Sequence, residues 1–112
     1  MRGRRASTLL RAPVFVRGIR LGEVEDVLLD AQGARIVGLD VRCGDGLNRF
    51  LPFATARRVA AGIEIESALT LLDQRELKFY RSRGRVLASM PELAGAVVGQ
   101  DGALVVALPA RC

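Results

Sequence analysis

Short runs of β-branched and aromatic residues recur along this chain at intervals of roughly ten residues, and glycine-rich turns separate them. One segment, near residues 74–82, has instead the pattern of a helix. Many short strands with a single helix are typical of a small antiparallel β-barrel or β-sandwich. A barrel pairs its own edge strands, which protects a chain with many apolar strands from aggregation. The sequence therefore predicts a mainly β fold, a small antiparallel β-barrel with one short helix.

The length and composition indicate one ordinary globular domain. The chain has 112 residues, half of them hydrophobic and only five aromatic, so we expect a core of Val, Leu, Ile and Ala. Arginines are frequent at the start of the chain, at Arg2, Arg4 and Arg5. We expect residues 1–11 to form a flexible basic arm and residues 12–112 to form the domain.

Two features bear on the compartment of the protein. No apolar run approaches the roughly 20 residues that a membrane-spanning helix needs. The two cysteines, Cys43 and Cys112, fit neither a disulfide framework nor a metal motif, and we interpret them as free thiols. Both features favour a cytoplasmic protein without a membrane span.

The most structured stretch, residues 21–41, contains two apolar runs on either side of the turn sequence DAQG. In the first run the alternation slips at Glu25 and Asp26, which a helix or a strand with a β-bulge would explain. We favour the strand, because no helix cap precedes this run. Asp30 and Gly33 then supply a hairpin turn in which the glycine adopts a positive φ angle.

The one predicted helix has recognisable signals at both ends. Asp73 is suited to be its N-cap residue, and Glu76 has the spacing of a capping-box partner. Leu72 and Leu77 have the spacing of a hydrophobic staple. Gly84 is placed to end the helix.

The acidic residues of the first hairpin could be read as a catalytic or cation-binding group. Paired catalytic carboxylates need a cleft that separates their pKa values, and a hard cation needs six or more oxygen ligands. The spacing of these residues matches no calcium-binding loop. We therefore interpret Asp26 and Asp30 as acceptors for bulge or turn amides, and Glu23 and Glu25 as solvated.

The sequence offers little for catalysis. It contains no histidine, the commonest general base at neutral pH. It also has neither of the phosphate-binding patterns GxxxxGK[ST] and GxGxxG. We expect a protein that is not an enzyme, with no catalytic residues, no metal, no cofactor and no small-molecule substrate.

The segment RFLPF is a candidate protein contact. Phe50 and Phe53 cannot both point inward from one regular strand, and exposed aromatic residues anchor interfaces. The alternative is that Pro52 creates a bulge that buries both rings.

A second candidate contact is basic. Arg81, Arg83 and Arg85 follow two aromatic residues and would suit a phosphate backbone with a stacked base. The alternative is that Phe79 docks the helix on the barrel while these arginines are solvated. The net charge of +5 permits an anionic partner such as RNA.

The segment VFVRGIRLGEVEDVLLDAQGARIVGL, residues 14–39, resembles the opening of PRC-barrel domains. The matching positions carry small, apolar and turn residues: Gly22, Val24, Asp26, Val27, Asp30 and Gly33. The resemblance extends over residues 12–72. The family includes the cytoplasmic part of the photosynthetic reaction-centre H subunit and the C-terminal domain of a ribosome maturation factor. The present chain is similar to a stand-alone member.

The resemblance implies a β-barrel that binds a partner and implies no catalytic residues. We expect a non-catalytic protein-interaction or assembly module that binds another protein or itself, as a homodimer. The alternative is a ribosome- or RNA-associated maturation factor that uses the arginine cluster. The two differ in salt dependence, because phosphate contacts release counterions and weaken steeply as salt rises.

Overall fold

The computed structural model describes residues 4–99 and 101–105. The strands are β1 (Arg4–Arg5), β2 (Pro13–Val16), β3 (Ile19–Leu29), β4 (Ile36–Cys43), β5 (Asn48–Pro52), β6 (Arg57–Val59), β7 (Gly62–Ile65), β8 (Arg85–Val86), β9 (Val97–Val98) and β10 (Leu104–Val105), and the helix is α1 (Gln74–Arg83). The prediction of a mainly β fold with one helix is confirmed. Arg2 and Cys112, which entered two of the predictions, lie outside the described residues.

The strands form two sheets. One sheet has the order β5-β4-β3-β2-β7-β6, with β8 also paired to β3, and the other has the order β1-β9-β10. An isolated bridge between Arg35 and Ala103 joins the start of β4 to the segment before β10. The pairing is antiparallel throughout the described strands except between β2 and β7, which run parallel. The predicted antiparallel arrangement is therefore corrected at that pair.

β3 contains a bulge at the point where the sequence alternation slips. Val24 pairs with Val41, and Asp26 pairs with Asp40, so Glu25 is an extra residue on β3. Because of this extra residue, Val24 faces the main core while Asp26 faces the opposite side of the sheet.

The start of the chain differs from the predicted flexible arm. Arg4 and Arg5 pair with β9, and a short 3₁₀ turn follows at Ala6–Leu9. Ala6 and Leu9 are fully or almost fully buried in the main core, which explains why residues 4–11 pack on the domain. Apolar burial outweighs the tendency of a chain end to fray.

A second, smaller core lies on the outer face of the larger sheet, beneath α1. Leu28, Phe50 and Leu77 are buried there, one each from β3, β5 and α1. The helix starts after Asp73, whose Oδ1 accepts the N–H of Arg75 at 3.0 Å. Its start and end lie within one residue of the predicted 74–82. Asp26 lies on this outer face because of the bulge in β3, and α1 therefore covers it.

Candidate functional site

Two buried carboxylates and one guanidinium meet beneath α1. Asp26 and Asp40 are cross-strand partners on β3 and β4 and are only 7% and 2% exposed. Arg81 extends from α1 to both of them. Its guanidinium forms an ion pair with Asp40 and lies 3.8 Å from Oδ2 of Asp26. We call these three residues the Asp–Arg cluster.

The carboxylates of the Asp–Arg cluster are fully engaged by the domain itself. Asp26 Oδ1 accepts the N–H of Val27 at 2.8 Å and that of Ala88 at 3.4 Å. Asp40 Oδ1 accepts a hydrogen bond of 2.7 Å from the side-chain amide of Asn48. Buried polar groups with complete partners fix a fold, whereas a reactive site keeps an open position for its substrate. The cluster therefore holds α1 on the sheet.

The other predicted turn residues lie where the chain bends or where strands approach closely. Asp30 Oδ1 accepts the N–H of Ala34 at 2.9 Å, and Gly33 has a φ angle of +71°. Gly22 lies in the middle of β3, where an added Cβ would be 2.1 Å from the carbonyl oxygen of Arg42. These residues shape the first hairpin and its pairing with β4.

Phe50 and Phe53 are buried, at 2% and 6% exposure, so the predicted exposed contact is corrected. β5 ends at Pro52, and a 3₁₀ turn starts at Phe53. The two rings therefore enter different cores: Phe53 joins the main core, and Phe50 lies beneath α1. There the Phe50 ring stacks on Tyr80 with a centroid distance of 4.3 Å. The alternative prediction, that both rings are buried, is therefore correct, but the 3₁₀ turn after Pro52 buries them rather than a bulge.

The structure separates the three arginines that the RNA-associated alternative places on one anion-binding surface. Arg81 belongs to the Asp–Arg cluster, and Arg85 donates from Nε to the carbonyl oxygen of Ala31 at 2.8 Å. Arg83 remains on the outer side of α1, with its guanidinium carbon 4.8 Å from the centroid of the Phe79 ring. All three side chains remain exposed, but Arg81 and Arg85 each bind a partner within the domain. Phe79 is also exposed and therefore does not dock the helix on the sheet.

Arg83 belongs to a different basic surface, which sequence reasoning missed. Arg75, Lys78, Phe79 and Arg83 are all exposed on α1. Spacings of three and four residues place such side chains on one side of a helix. We call these four residues the outer face of α1. The same spacing in QRELKFYRSR was the signal that could have revealed this surface.

Two further findings concern metals and membranes. No group of three or more metal-ligating side chains comes together within residues 4–99 and 101–105. In the same part of the chain, no helix is long and apolar enough to cross a membrane.

These features define a class of protein: a small two-sheet β domain with one helix-covered face and buried polar groups that bind each other. A family model for the PRC-barrel domain matches residues 1–70. The match covers more than half of the 112 residues, so the chain belongs to the PRC-barrel domain family. It confirms the resemblance seen in residues 14–39 and extends it to the first residue. A comparison with curated proteins finds no match.

Proposed function

We propose that this chain is a non-catalytic interaction module of the PRC-barrel type that binds a protein partner or a second copy of itself. The family membership supports a binding domain. The Asp–Arg cluster supports a non-catalytic role, because its charged groups are used to hold α1 on the sheet. The observation that most directly supports binding is an exposed apolar surface on the smaller sheet.

The smaller sheet exposes two neighbouring valines. Val97 on β9 and Val105 on β10 are register partners and are 38% and 61% exposed. Arg5 on β1 pairs with Val97 from the other side, so the three side chains form one row across the sheet. We call them the valine row. Adjacent exposed apolar side chains gain free energy when a partner covers them.

A second copy of the chain is the partner that we propose for the valine row, since symmetric dimers are the commonest oligomers. Sedimentation velocity of the purified chain over a range of concentrations tests this. We expect a dimer that the double substitution Val97→Asp and Val105→Asp converts to a monomer. Ile19→Asp is the matched control, because Ile19 is 66% exposed but lies at the β2–β3 turn.

Two results would contradict the self-association. One is a monomer at every concentration, and the other is a dimer that the valine substitutions leave unchanged. Circular dichroism of each variant shows whether the β fold is retained, so that loss of the dimer is not confused with unfolding.

The salt dependence of the complexes that the chain forms distinguishes the ribosome- or RNA-associated alternative from this proposal. A sucrose gradient of a lysate from the source cells, run at low and high salt, locates the chain. Migration with a ribosomal subunit that is lost at high salt would support the alternative, since phosphate contacts weaken steeply with salt. A light, salt-resistant species would support the protein-interaction module.

A further inference from the structure

We infer that the outer face of α1 is a docking surface for an acidic and partly apolar segment of a protein partner. This inference rests on the proposed function, because it names one surface of the interaction module and the chemistry that fits it. The surface consists of Arg75, Lys78, Phe79 and Arg83, and it is distinct from the valine row.

The position of α1 on the sheet determines which of its residues face outward. Leu77 is buried and Tyr80 is half-buried beneath the helix, and Arg81 forms the ion pair with Asp40. The opposite side of the helix is left with the exposed side chains. α1 contains four basic residues and one acidic residue, Glu76, so its exposed side is positively charged.

The cations of this surface differ from the ion-paired arginines of the domain. Six arginines form ion pairs with acids of the same chain: Arg20, Arg35, Arg42, Arg49, Arg57 and Arg81. Within the described residues, Arg75, Lys78 and Arg83 take part in no ion pair. Three unpaired cations on one helix side produce a local positive potential that attracts acidic groups.

Phe79 adds an apolar component to this surface. It is 47% exposed, and the guanidinium of Arg83 lies over its ring. The edge-to-face contact with Tyr80, at a centroid distance of 5.1 Å, holds the ring in place. Arg and aromatic residues are the side chains that contribute most at protein interfaces. A segment that carries both carboxylate and apolar side chains matches this combination.

The geometry favours an acidic protein segment over RNA. Single-stranded RNA binds aromatic residues by stacking bases on a free ring face, and Arg83 already lies over the Phe79 ring. A carboxylate can instead bind the Arg83 guanidinium in its present position. The Asp–Arg cluster fixes α1 to the sheet, so the helix backbone does not have to be ordered when a partner binds.

Fluorescence anisotropy of the full chain tests the inference with two probes. One is a fluorescein-labelled peptide of glutamate and leucine residues, and the other is a labelled oligouridine of equal length. We compare the unsubstituted chain with a triple variant, Arg75→Glu, Lys78→Glu and Arg83→Glu. The control carries the same change of charge at exposed arginines outside both α1 and the valine row, as Arg11→Glu, Arg17→Glu and Arg20→Glu.

We expect the peptide to bind the unsubstituted chain, and the α1 variant to weaken this binding by about tenfold or more. The control should weaken it by less than about threefold. Equal losses in both variants would overturn the inference, because they indicate general charge attraction. Tighter binding of oligouridine than of the peptide, lost in the α1 variant, would also overturn it in favour of a nucleic acid.

Failure of the α1 docking surface can be distinguished from failure of the proposed function. If the chain forms the valine-row dimer but peptide binding does not depend on the outer face of α1, the proposed interaction module is retained and the docking surface is rejected. If the chain is a monomer and binds neither the peptide nor a cellular protein, the proposed function fails as well.

Discussion

The guanidinium of Arg81 on α1 forms an ion pair with the buried carboxylate of Asp40 on β4, 41 residues earlier in the chain. This contact connects the helix to an inner strand of the larger sheet. Arg81→Ala should lower the free energy of unfolding by about 2–3 kcal/mol, because it leaves two buried carboxylates without their cation. Urea unfolding at neutral pH measures the loss.

Arg83→Ala is the matched control for the ion pair, since Arg83 lies on the same helix and its guanidinium lies over the exposed Phe79 ring rather than beside a buried carboxylate. It should change the free energy of unfolding by about 0.5 kcal/mol or less. Equal losses in the two variants would show that the Asp–Arg cluster does not hold the helix.

The close contact between Gly38 and Phe50 gives a second prediction. A Cβ at position 38 would lie 2.3 Å from two atoms of the Phe50 ring. Gly38→Ala should therefore destabilise the fold by about 1–3 kcal/mol. The loss should be smaller in a Phe50→Leu background, where the ring is absent. Part of the loss should remain, because the added Cβ would also lie 2.8 Å from the carbonyl oxygen of Leu51.

Thermal unfolding of the two single variants and the double variant completes this cycle. Additive losses would contradict the close packing of the Phe50 ring on Gly38. Gly46→Ala is not a suitable control, because Gly46 has a positive φ angle. Gly95→Ala is suitable, since an added Cβ there meets no atom within 4 Å.

The β2–β3 hairpin can be stabilised. Arg17 and Gly18 join Val16 to Ile19 and both have positive φ angles, of 50° and 80°. Such two-residue turns favour Asn followed by Gly, because Asn tolerates this conformation better than Arg does. Arg17→Asn should raise the free energy of unfolding by about 0.5–1 kcal/mol. Arg20→Asn removes the same charge outside the turn and should not raise the free energy of unfolding. A rise in both variants would show that the loss of charge, and not the turn, is the cause.

The pH dependence of Asp45 gives a further prediction. Arg49 donates two hydrogen bonds to its carboxylate, at 3.1 and 2.9 Å, and the Leu47 N–H donates another. These contacts lower the pKa of Asp45 from 3.8 to about 2. Because the pKa is lower in the folded state, the ionised carboxylate stabilises the fold above about pH 4, and this contribution is lost as the pH falls towards 2.

An NMR titration of the Asp45 carboxyl carbon measures this pKa. Arg49→Gln should raise the pKa of Asp45 towards its ordinary value, since the Arg49 hydrogen bonds are its largest cause. A pKa near 3.8 in the unsubstituted chain would contradict the recorded geometry.

Features set by neighbouring residues could be predicted from the sequence. Asp73 caps α1 through the adjacent N–H of Arg75. The bulge at Glu25 was visible because it interrupts a local alternation. Such features depend on spacings of a few residues, which the sequence displays directly.

Features set by distant contacts could not be predicted. The exposure of Phe50 depends on Tyr80, which covers it from α1. The role of Arg81 depends on a strand register that brings Asp26 and Asp40 together. One sign was available: Asp40 interrupts the apolar run IVGLDV, and an acid at such a position needs a partner. The partner itself was not visible.

Lys78 makes the central claim directly testable, because it is the single lysine of the sequence and lies on the outer face of α1. The chain is captured from its source cells after ribonuclease treatment and coupled with a carbodiimide, which joins amines to carboxylates in direct contact. Mass spectrometry then identifies the linked residues. A protein-interaction module predicts a link from Lys78 to an Asp or Glu of another chain. Recovery of the chain without any protein partner, or loss of every partner on ribonuclease treatment, would contradict the account.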